Sequence, residues 1–376
     1  MNLMGVPFSI GSLRPNLINQ PISLFSYGLM EGPGCSLIGY GAALELGPLR
    51  VAQKGAALEF NKQARNKEAN LLFVESPVGV GSHTPIHQMI SITLMINLLD
   101  TYNFLVKWLQ KFSQYKRSEF FISGESYAGH YVPQLAELIH NRNMNKKKYQ
   151  YINLRGFIVG NPQTSKYYDY KGILEYAWSH SVISDQNYDK AKRTCEFNKV
   201  YWSDECVSAM EMLWAQYNNI DMYNIYAPSC LLNQTTLMPT KTRTKRKMDP
   251  GGYDPCFDIY IKKYFNRRDV QTALHVKQSQ HGDTVKWKAC NYSIFRETYD
   301  QNVFSVLPIY TKLITKRDQR IWVYSGDVAG RIVEYEGLTF VTVRGAGHMV
   351  PVDKPNEAFA LIHSYLFDQP LPTTRY

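Results

Sequence analysis

The segment SEFFISGESYAGHYVP, residues 118–133, carries the most informative pattern in this chain. Its apolar run at 120–122 is typical of a buried strand, and 129–143 has the apolar periodicity of a helix. Small residues flank the single serine, Ser126, in the intervening GESYA at 124–128. Because small residues tolerate the strained backbone of a sharp strand-to-helix turn, we expect this turn to present the serine hydroxyl at a strand end. An ordinary turn serine is the alternative.

A serine hydroxyl becomes a nucleophile only beside a base. In α/β-hydrolases the serine of G-x-S-x-G is followed along the chain by an acid and then by a histidine. Here IWVYSGD ends at Asp327, and FVTVRGAGHMVP carries His348 just past its strand. Both follow strand ends, where open α/β sheets place their chemistry. We therefore predict Ser126 as nucleophile, Asp327 as orienting acid and His348 as general base.

Such a nucleophile also needs backbone N–H groups that stabilise the oxyanion formed on attack. The residue after the serine, Tyr127, supplies one N–H group. The glycine-rich stretch GPGCS (32–36) is the candidate for the second, with Gly32 as donor. A plain turn is the alternative for this stretch.

The fold class follows from the other apolar runs. Helix-length segments such as TYNFLVKWLQKFSQY (101–115) alternate with apparent strands, which are ANLLFVES (69–76), LRGFIVG (154–160), QRIWVYSG (319–326) and LTFVTVRG (338–345). This alternation predicts an α/β fold with a mostly parallel central sheet flanked by helices. Residues 166–257 break the rhythm and predict a helical cap insertion. The predicted core is then 30–165 and 258–376, after an atypical N-terminal segment, 1–29.

Composition narrows the classes of partner. The 376 residues are 44% hydrophobic and carry a net charge of +10, concentrated partly in basic runs at 146–148 and 241–247. We interpret these runs as solvated loops in preference to interaction tails, because no nucleic-acid-binding motif accompanies them. No apolar stretch reaches 18 residues, and the N-terminus lacks a recognisable signal peptide. We therefore predict no nucleic acid and no membrane as partners.

Six cysteines lie at positions 35, 195, 206, 230, 256 and 290. None forms a C-x-x-C pair, which argues against a metal site, and either free thiols or three disulfides fit the even count. Two N-glycosylation sequons begin at Asn233 and Asn291. The sequons favour a secreted protein.

Several motifs together resemble the serine carboxypeptidases, from about residue 32 to 372: GESYAGHYVPQLA, ESPVGVG, GPGCS, GFIVGNP and RGAGHMVP. The segments PGGYDPC (250–256) and YFNRRDVQTALHV (264–276) resemble the class II, carboxypeptidase D-type branch. The resemblance implies an α/β-hydrolase with a helical cap that releases C-terminal amino acids from peptides or proteins, without a cofactor. A homodimer is left open.

The resemblance also implies roles for individual residues. It assigns the same triad and oxyanion donors as above, and it gives Glu125 the task of holding the substrate's terminal carboxylate. That task requires a protonated Glu125, because two carboxylates repel each other, so we expect an acidic pH optimum and a secreted or vacuolar enzyme. The implied disulfides are Cys35–Cys290, Cys195–Cys206 and Cys230–Cys256, and the basic run at 241–247 resembles a linker that is cut out.

The chain departs from the family pattern near the predicted site. Met30 stands where an asparagine would donate a hydrogen bond to the substrate carboxylate, and Glu31 adds a charge beside the oxyanion loop. Only nine residues, 328–336, separate Asp327 from Gly337, although a parallel crossover needs a dozen or more. These departures favour a catalytically impaired relative as the alternative to a carboxypeptidase. An acyltransferase that uses the same triad is a weaker alternative, because Glu125 and the PGGYDPC segment argue against that branch.

Overall fold

The computed structural model describes residues 22–28, 34–74, 80–81, 92–217, 220–228, 230, 254–274, 276, 286–291, 299–300, 303–327 and 329–373. In these residues the strands are β1 Ile22–Gly28, β2 Leu49–Val51, β3 Leu58–Phe60, β4 Asn70–Phe73, β5 Ile92–Thr93, β6 Phe120–Ser126, β7 Leu154–Gly160, β8 Ile220–Asp221, β9 Asn224–Pro228, β10 Tyr299–Asp300, β11 Arg320–Asp327, β12 Arg331–Tyr335 and β13 Leu338–Arg344. The α-helices are α1 Leu94–Lys111, α2 Ala128–Asn143, α3 Lys166–Ser179, α4 Asp185–Thr194, α5 Asp204–Gln216, α6 Phe257–Phe265, α7 Arg268–Ala273, α8 Leu307–Lys316, α9 Val350–Asp353 and α10 Pro355–Phe367.

A seven-stranded sheet organises the molecule, with strand order β12-β13-β11-β7-β6-β1-β4. Every neighbouring pair is parallel except β12 with β13. The predicted mostly parallel sheet is therefore confirmed. Because parallel strands end at the same edge, β6, β7, β11 and β13 bring their carboxyl ends together.

Helices cover both faces of this sheet. The strand β6 shows how, because Phe120 and Ile122 pack into a core with α1, α2 and α8, whereas Phe121 packs into a second core with α10. All three side chains are almost completely buried. Burial of one such side chain stabilises a fold by roughly 1.5–3 kcal/mol. The apolar run at 120–122 is thus a strand buried on both sides, as α/β folds require.

The strand β1 lies inside the sheet, between β6 and β4. The sequence predicts that 1–29 lie outside the core, whereas Ile22–Gly28 form a strand of the central sheet. ISLFSYG is mostly apolar and aromatic, which favours a strand, but seven residues give a weak signal. The remaining residues of the N-terminal segment lie outside the described residues.

Helices α3, α4 and α5 share a hydrophobic cluster of their own, which includes Leu174, Ala177 and Leu213. The disulfide between Cys195 and Cys206 joins the end of α4 to α5. The basic run at 241–247 lies outside the described residues. The division of the chain into core and cap stays a prediction.

The short link after Asp327 forms a hairpin in place of a helical crossover. The chain passes from β11 to the outer edge of the sheet, runs back as β12, and returns through a two-residue turn as β13. Gly337 occupies this turn with φ +86°, a conformation that glycine adopts readily. Because β12 is antiparallel, it returns the chain to the start of β13 without the dozen residues of a parallel crossover.

Candidate active site

Ser126 is the last residue of β6, and α2 begins two residues later. Its backbone has φ +62°, in the left-handed region that non-glycine residues rarely adopt. The Gln163 N–H group donates a hydrogen bond of 2.9 Å to the Ser126 carbonyl oxygen and holds the turn. Strain of this kind persists where the surrounding structure fixes it, commonly at active sites. The predicted strand-to-helix turn is therefore present.

Gly129 allows α2 to lie close to the loop that follows β7. A Cβ atom on this residue would lie 2.3 Å from the Gln163 carbonyl oxygen and 2.7 Å from the Pro162 side chain. No other residue type fits this distance without displacement of the loop. The glycine in GESYAG thus sets the direction of α2 relative to the serine.

His348 follows β13 and is held by backbone contacts from several elements. Its N–H group donates to the Tyr223 carbonyl oxygen at 2.7 Å, and its own carbonyl oxygen accepts from Asn161 Nδ2 at 2.6 Å. Its ring lies beside that of Tyr223, with 5.2 Å between the centroids. The loop position of the predicted base is thus fixed from both sides.

The reactive atoms of the predicted pair are both buried. Neither the Ser126 hydroxyl oxygen nor His348 Nε2 has a hydrogen-bond partner in the part of the chain that the structure describes. Although His348 as a whole residue is only half-buried, burial of its ring lowers its pKa from 6.5 to about 4. The ring is therefore neutral above this pH and able to accept a proton.

Asp327 ends β11 and lies opposite Arg344 of β13 in the strand register. Its carbonyl oxygen accepts a 2.6 Å hydrogen bond from the N–H group of Gly345, which begins the loop to His348. A Cβ atom on the preceding Gly326 would lie 2.1 Å from the Gly347 carbonyl oxygen, so the acid's strand and the histidine loop are in close contact. With β7 alone between β11 and β6, the three predicted residues share one edge of the sheet.

Asn161 was not singled out by the sequence, yet it joins the elements of the site. It follows β7 with φ +39°. Besides donating to His348, its side chain accepts a 3.2 Å hydrogen bond from the Gly326 N–H group through Oδ1. One amide thus connects the base loop to the strand of the acid. The feature of the sequence that could have identified Asn161 is its position directly after a predicted strand, in GFIVGNP.

Asp353 is a second residue that the sequence analysis missed. Its buried carboxylate accepts from the Gly347 N–H group at 2.6 Å and from Asn224 Nδ2 at 3.0 Å. Burial raises its pKa from 3.8 to about 6. The carboxylate therefore holds the residue next to His348 against β9.

Glu125 is 3% exposed and precedes the serine on β6. It lies opposite Gly160 of β7, where a Cβ atom would lie 2.3 Å from the Tyr324 ring. The pKa of the Tyr324 hydroxyl is raised well above its usual range, chiefly by burial and then by the nearby Glu125. Glu125 thus lies in a closely packed interior beside the candidate nucleophile.

Part of the predicted oxyanion loop lies within the described residues. Tyr127 is buried at the start of α2, whereas Gly32, Met30 and Glu31 lie outside the described residues. Just after them, Ser36 N–H donates to the Ala289 carbonyl oxygen at 2.7 Å, next to the disulfide Cys35–Cys290. The end of this loop is therefore anchored covalently and by the backbone.

The remaining predicted sites have a mixed outcome. The described cysteines form the three disulfides Cys35–Cys290, Cys195–Cys206 and Cys230–Cys256, the pairing that the resemblance implies. Asn291 is half-buried, Asn233 lies outside the described residues, and glycosylation stays a prediction. Within the described ranges, no cluster of histidine, cysteine and acidic side chains could hold a metal ion. No described helix is both long and apolar enough to span a bilayer.

Comparison with known proteins identifies the family. The model of the serine carboxypeptidase family matches residues 28–329 and 326–368. Serine carboxypeptidase-like 26 of Oryza sativa subsp. japonica is 50% identical over 402 residues, which cover 95% of this chain and 82% of the relative. Serine carboxypeptidase-like 33 of Arabidopsis thaliana is 47% identical, with 94% and 83% covered.

Among solved structures, the fold is similar to that of Kex1(delta)p, a prohormone-processing carboxypeptidase from Saccharomyces cerevisiae. The TM-score is 0.74 at 19% identity, over 93% of this chain and 84% of the yeast chain. At this identity the likeness concerns the fold alone. It agrees with the α/β-hydrolase fold expected from the sequence.

The two family-model matches overlap at residues 326–329, a range that includes Asp327. The rice alignment also runs over 402 residues, more than the 376 of the whole chain, so it contains positions at which this chain has no residue. The short link into the β12–β13 hairpin coincides with the break between the matches. These matches cover most of the sequence on both sides of the break, and the chain belongs to the serine carboxypeptidase family.

Proposed function

We propose that this protein is a serine carboxypeptidase that releases C-terminal amino acids from peptides through an acyl-enzyme. The observation that carries the proposal is the strained backbone of Ser126, at the sheet edge where β11 ends in Asp327 and the loop after β13 carries His348. The strained backbone and the buried hydroxyl both destabilise the fold. Such a turn is typical of a nucleophilic serine, which it presents at the end of a strand.

In the proposed reaction, the Ser126 hydroxyl oxygen attacks the carbonyl carbon of the last peptide bond, and its proton passes to His348 Nε2. The Tyr127 N–H group and the predicted donor Gly32 stabilise the resulting oxyanion. The C–N bond then breaks, and His348 returns the proton to the leaving amine. Water hydrolyses the acyl-enzyme by the same steps, while Asp327 orients the imidazole.

An acidic optimum follows from two groups in this scheme. The lowered pKa of His348, about 4 because of burial, leaves the imidazole neutral and basic in mildly acidic solution. Glu125 must be protonated to donate a hydrogen bond to the substrate's terminal carboxylate. We propose a secreted or vacuolar location, which the three disulfides favour because such bonds persist in oxidising compartments.

A fluorophosphonate probe at pH 5 tests the nucleophile. We expect wild-type protein to be labelled and Ser126→Ala protein to remain unlabelled, with circular dichroism showing that both are folded. Absence of labelling on folded wild type would reject the proposal and support the impaired relative that Met30 and Glu31 suggest.

A second measurement tests recognition of the substrate's carboxylate. A blocked dipeptide with a free C-terminus and its C-terminal amide differ only at the group that Glu125 would hold. We expect the free acid to be cleaved at least tenfold faster at pH 5, as loss of a hydrogen bond to a charged group implies. Equal rates would leave a serine hydrolase without carboxypeptidase specificity.

A further inference from the structure

Lys166 is a half-buried cation without a counter-ion among the residues that the structure describes. It is the first residue of α3, and its ammonium lies over the Phe304 ring at 5.4 Å from the centroid. The ion pairs of the described residues do not include it. Its backbone N–H group donates to the Phe304 carbonyl oxygen at 3.0 Å and fixes its place.

This placement is unfavourable for a lysine in two further ways. Burial lowers its pKa, and the positive end of the α3 dipole repels a cation in the first turn of the helix. Asp169, three residues along α3, is not an ion-pair partner of Lys166 in the described residues, and its carboxylate accepts from the N–H groups of Thr164 at 3.1 Å and Ser165 at 3.0 Å. Among the described residues only the Phe304 ring offsets this charge, and a charge that breaks local rules in this way points to a functional role.

The Phe304 ring under the Lys166 ammonium belongs to the residue that follows Val303. Val303 packs against Tyr127, the residue after the candidate nucleophile. The charge of Lys166 acts on His130, whose ring stacks on that of Tyr127 with 5.0 Å between centroids and an angle of 20°. His130 is 2% exposed, and its Nδ1 atom has no hydrogen-bond partner in the described ranges. The buried imidazole thus packs on the residue after the candidate nucleophile, and the charge of Lys166 lies near that imidazole.

The direction of a bound peptide decides which side chain meets these groups. In the reaction proposed above, the attacked carbonyl belongs to the residue before the scissile bond, and its oxygen faces the Tyr127 N–H group. The α-carbon of that residue and the nitrogen of the released residue are attached to opposite sides of the carbonyl carbon, so its side chain lies away from Glu125, and we place it beside Tyr127. The released residue, with its carboxylate, lies on the side of Glu125.

We infer that Lys166, together with His130, binds an acidic side chain on the residue before the scissile bond, so that glutamate is preferred there. A carboxylate at this place would supply the counter-ion that Lys166 lacks, offset the helix dipole and lie beside the imidazole. The inference rests on the proposed peptidase function and names its substrate class.

The test compares two blocked dipeptides that differ only in glutamate or glutamine before a C-terminal phenylalanine. At pH 6 the glutamate side chain is ionised, since its usual pKa is about 4.3. We expect kcat/KM to favour glutamate by on the order of tenfold in the wild type, as a desolvated ion pair in a binding site implies. Lys166→Met should remove the preference, and Lys166→Glu should reverse it.

Lys171→Met is the matched control, because Lys171 lies on the same helix but is exposed and paired with Glu175 at 3.6 Å. It should keep the wild-type preference. If the wild type cleaves both dipeptides equally well, the inference is wrong and the peptidase function stands. If it cleaves neither, the function proposal fails, and calorimetry on Ser126→Ala protein decides the inference: tighter binding of the glutamate peptide that Lys166→Met abolishes supports it, and equal binding overturns it.

Discussion

The backbone of Ser126 stores strain that can be measured apart from catalysis. Left-handed φ costs a non-glycine residue roughly 1–2 kcal/mol, and glycine avoids this cost. Ser126→Gly and Ser126→Ala both remove the hydroxyl, but only the glycine variant relieves the strain at φ +62°. We expect Ser126→Gly to be more stable than Ser126→Ala by roughly 0.5–1 kcal/mol in urea unfolding, after the flexibility of glycine in the unfolded chain is included. Greater stability of the alanine variant would contradict a strained turn.

His348 should set the acidic limit of serine reactivity. Because the imidazole accepts the serine proton only when it is neutral, reactivity is present above its pKa and lost as the pH falls through it. With the pKa lowered by burial to about 4, the rate of fluorophosphonate labelling should fall to half near pH 4. The probe has no carboxylate, so its own ionisation does not distort the profile. A midpoint near 6.5, the ordinary value for histidine, would show that the ring is solvated.

The sequence predicts residues of the site where a reactive side chain follows an apolar strand. Ser126, Asp327 and His348 all meet this condition, and the family resemblance adds Glu125. Asn161 also follows an apolar strand but has no reactive group, and Asp353 follows no strand, so neither could be recognised in the same way. Their side chains act by holding other parts of the site. Asn161 and His348 are 187 positions apart, and only the sheet order brings them together.

At the scale of elements, Asn161 holds three of them in register: the end of β7, the strand β11 and the loop of His348. Asn161→Ala removes its bonds to the His348 carbonyl oxygen and the Gly326 N–H group. We expect kcat to fall by about 10- to 100-fold with little change in KM, since a displacement of the base by 1 Å has this effect on rate. Steady-state rate measurements with the blocked dipeptide give both kcat and KM.

Asn153→Ala supplies the matched control for this prediction. Asn153 precedes β7 at the opposite edge of the sheet, where its amide donates to the carbonyl oxygens of Arg117 and Ser118 at 3.3 and 3.4 Å. It should keep the wild-type kcat. An equal loss in both variants would mean that Asn161 acts through general stability rather than through the position of His348.

The sequence alone could not predict how nine residues connect Asp327 to the last strand. The short length of this segment excludes a covering helix, and the described residues of the segment contain none. The residues RIVEY form β12, but they mix charged and apolar side chains and are exposed along the whole strand, so the sequence does not mark them as a strand. An edge strand needs no buried face, so the continuous apolar run that marks the central strands of this sheet is absent. The hairpin is recognised only when β12 is seen to pair with β13.

At the scale of the whole molecule, alternation of strands and helices was enough to predict the fold class but not the strand order. The order β12-β13-β11-β7-β6-β1-β4 depends on pairing between distant segments, which no local pattern encodes. It nevertheless has a simple result: the strands of Ser126 and Asp327 lie one strand apart, and β13 delivers His348 beside them. The position of the site follows from the topology once the order is known.

Buried histidines and buried acids give the stability of the whole molecule opposing dependences on pH. Burial lowers the pKa of His130 and His348 to about 4, so the unfolded chain binds protons that the folded chain does not, and stability is lost as the pH falls from 6.5 to 4. Burial raises the pKa of Asp169 and Asp353 to about 6, so these groups bind a proton more tightly in the folded chain. Their contribution to the free energy of unfolding is therefore complete below pH 3.8 and is lost as the pH rises towards 6. The two pairs oppose each other between pH 4 and 6.

Removal of one acid should therefore change the slope of the free energy of unfolding against pH. Asp169→Asn keeps an oxygen that can accept from the Thr164 and Ser165 N–H groups but cannot titrate. Relative to the wild type, its free energy of unfolding should rise with pH by up to about 1.4 kcal/mol per unit between pH 4 and 6. Urea unfolding at pH 4.5, 5.2 and 6.0 measures this difference, with the exposed Asp189→Asn as control. Parallel profiles for Asp169→Asn and wild type would show that Asp169 does not bind a proton more tightly in the folded state.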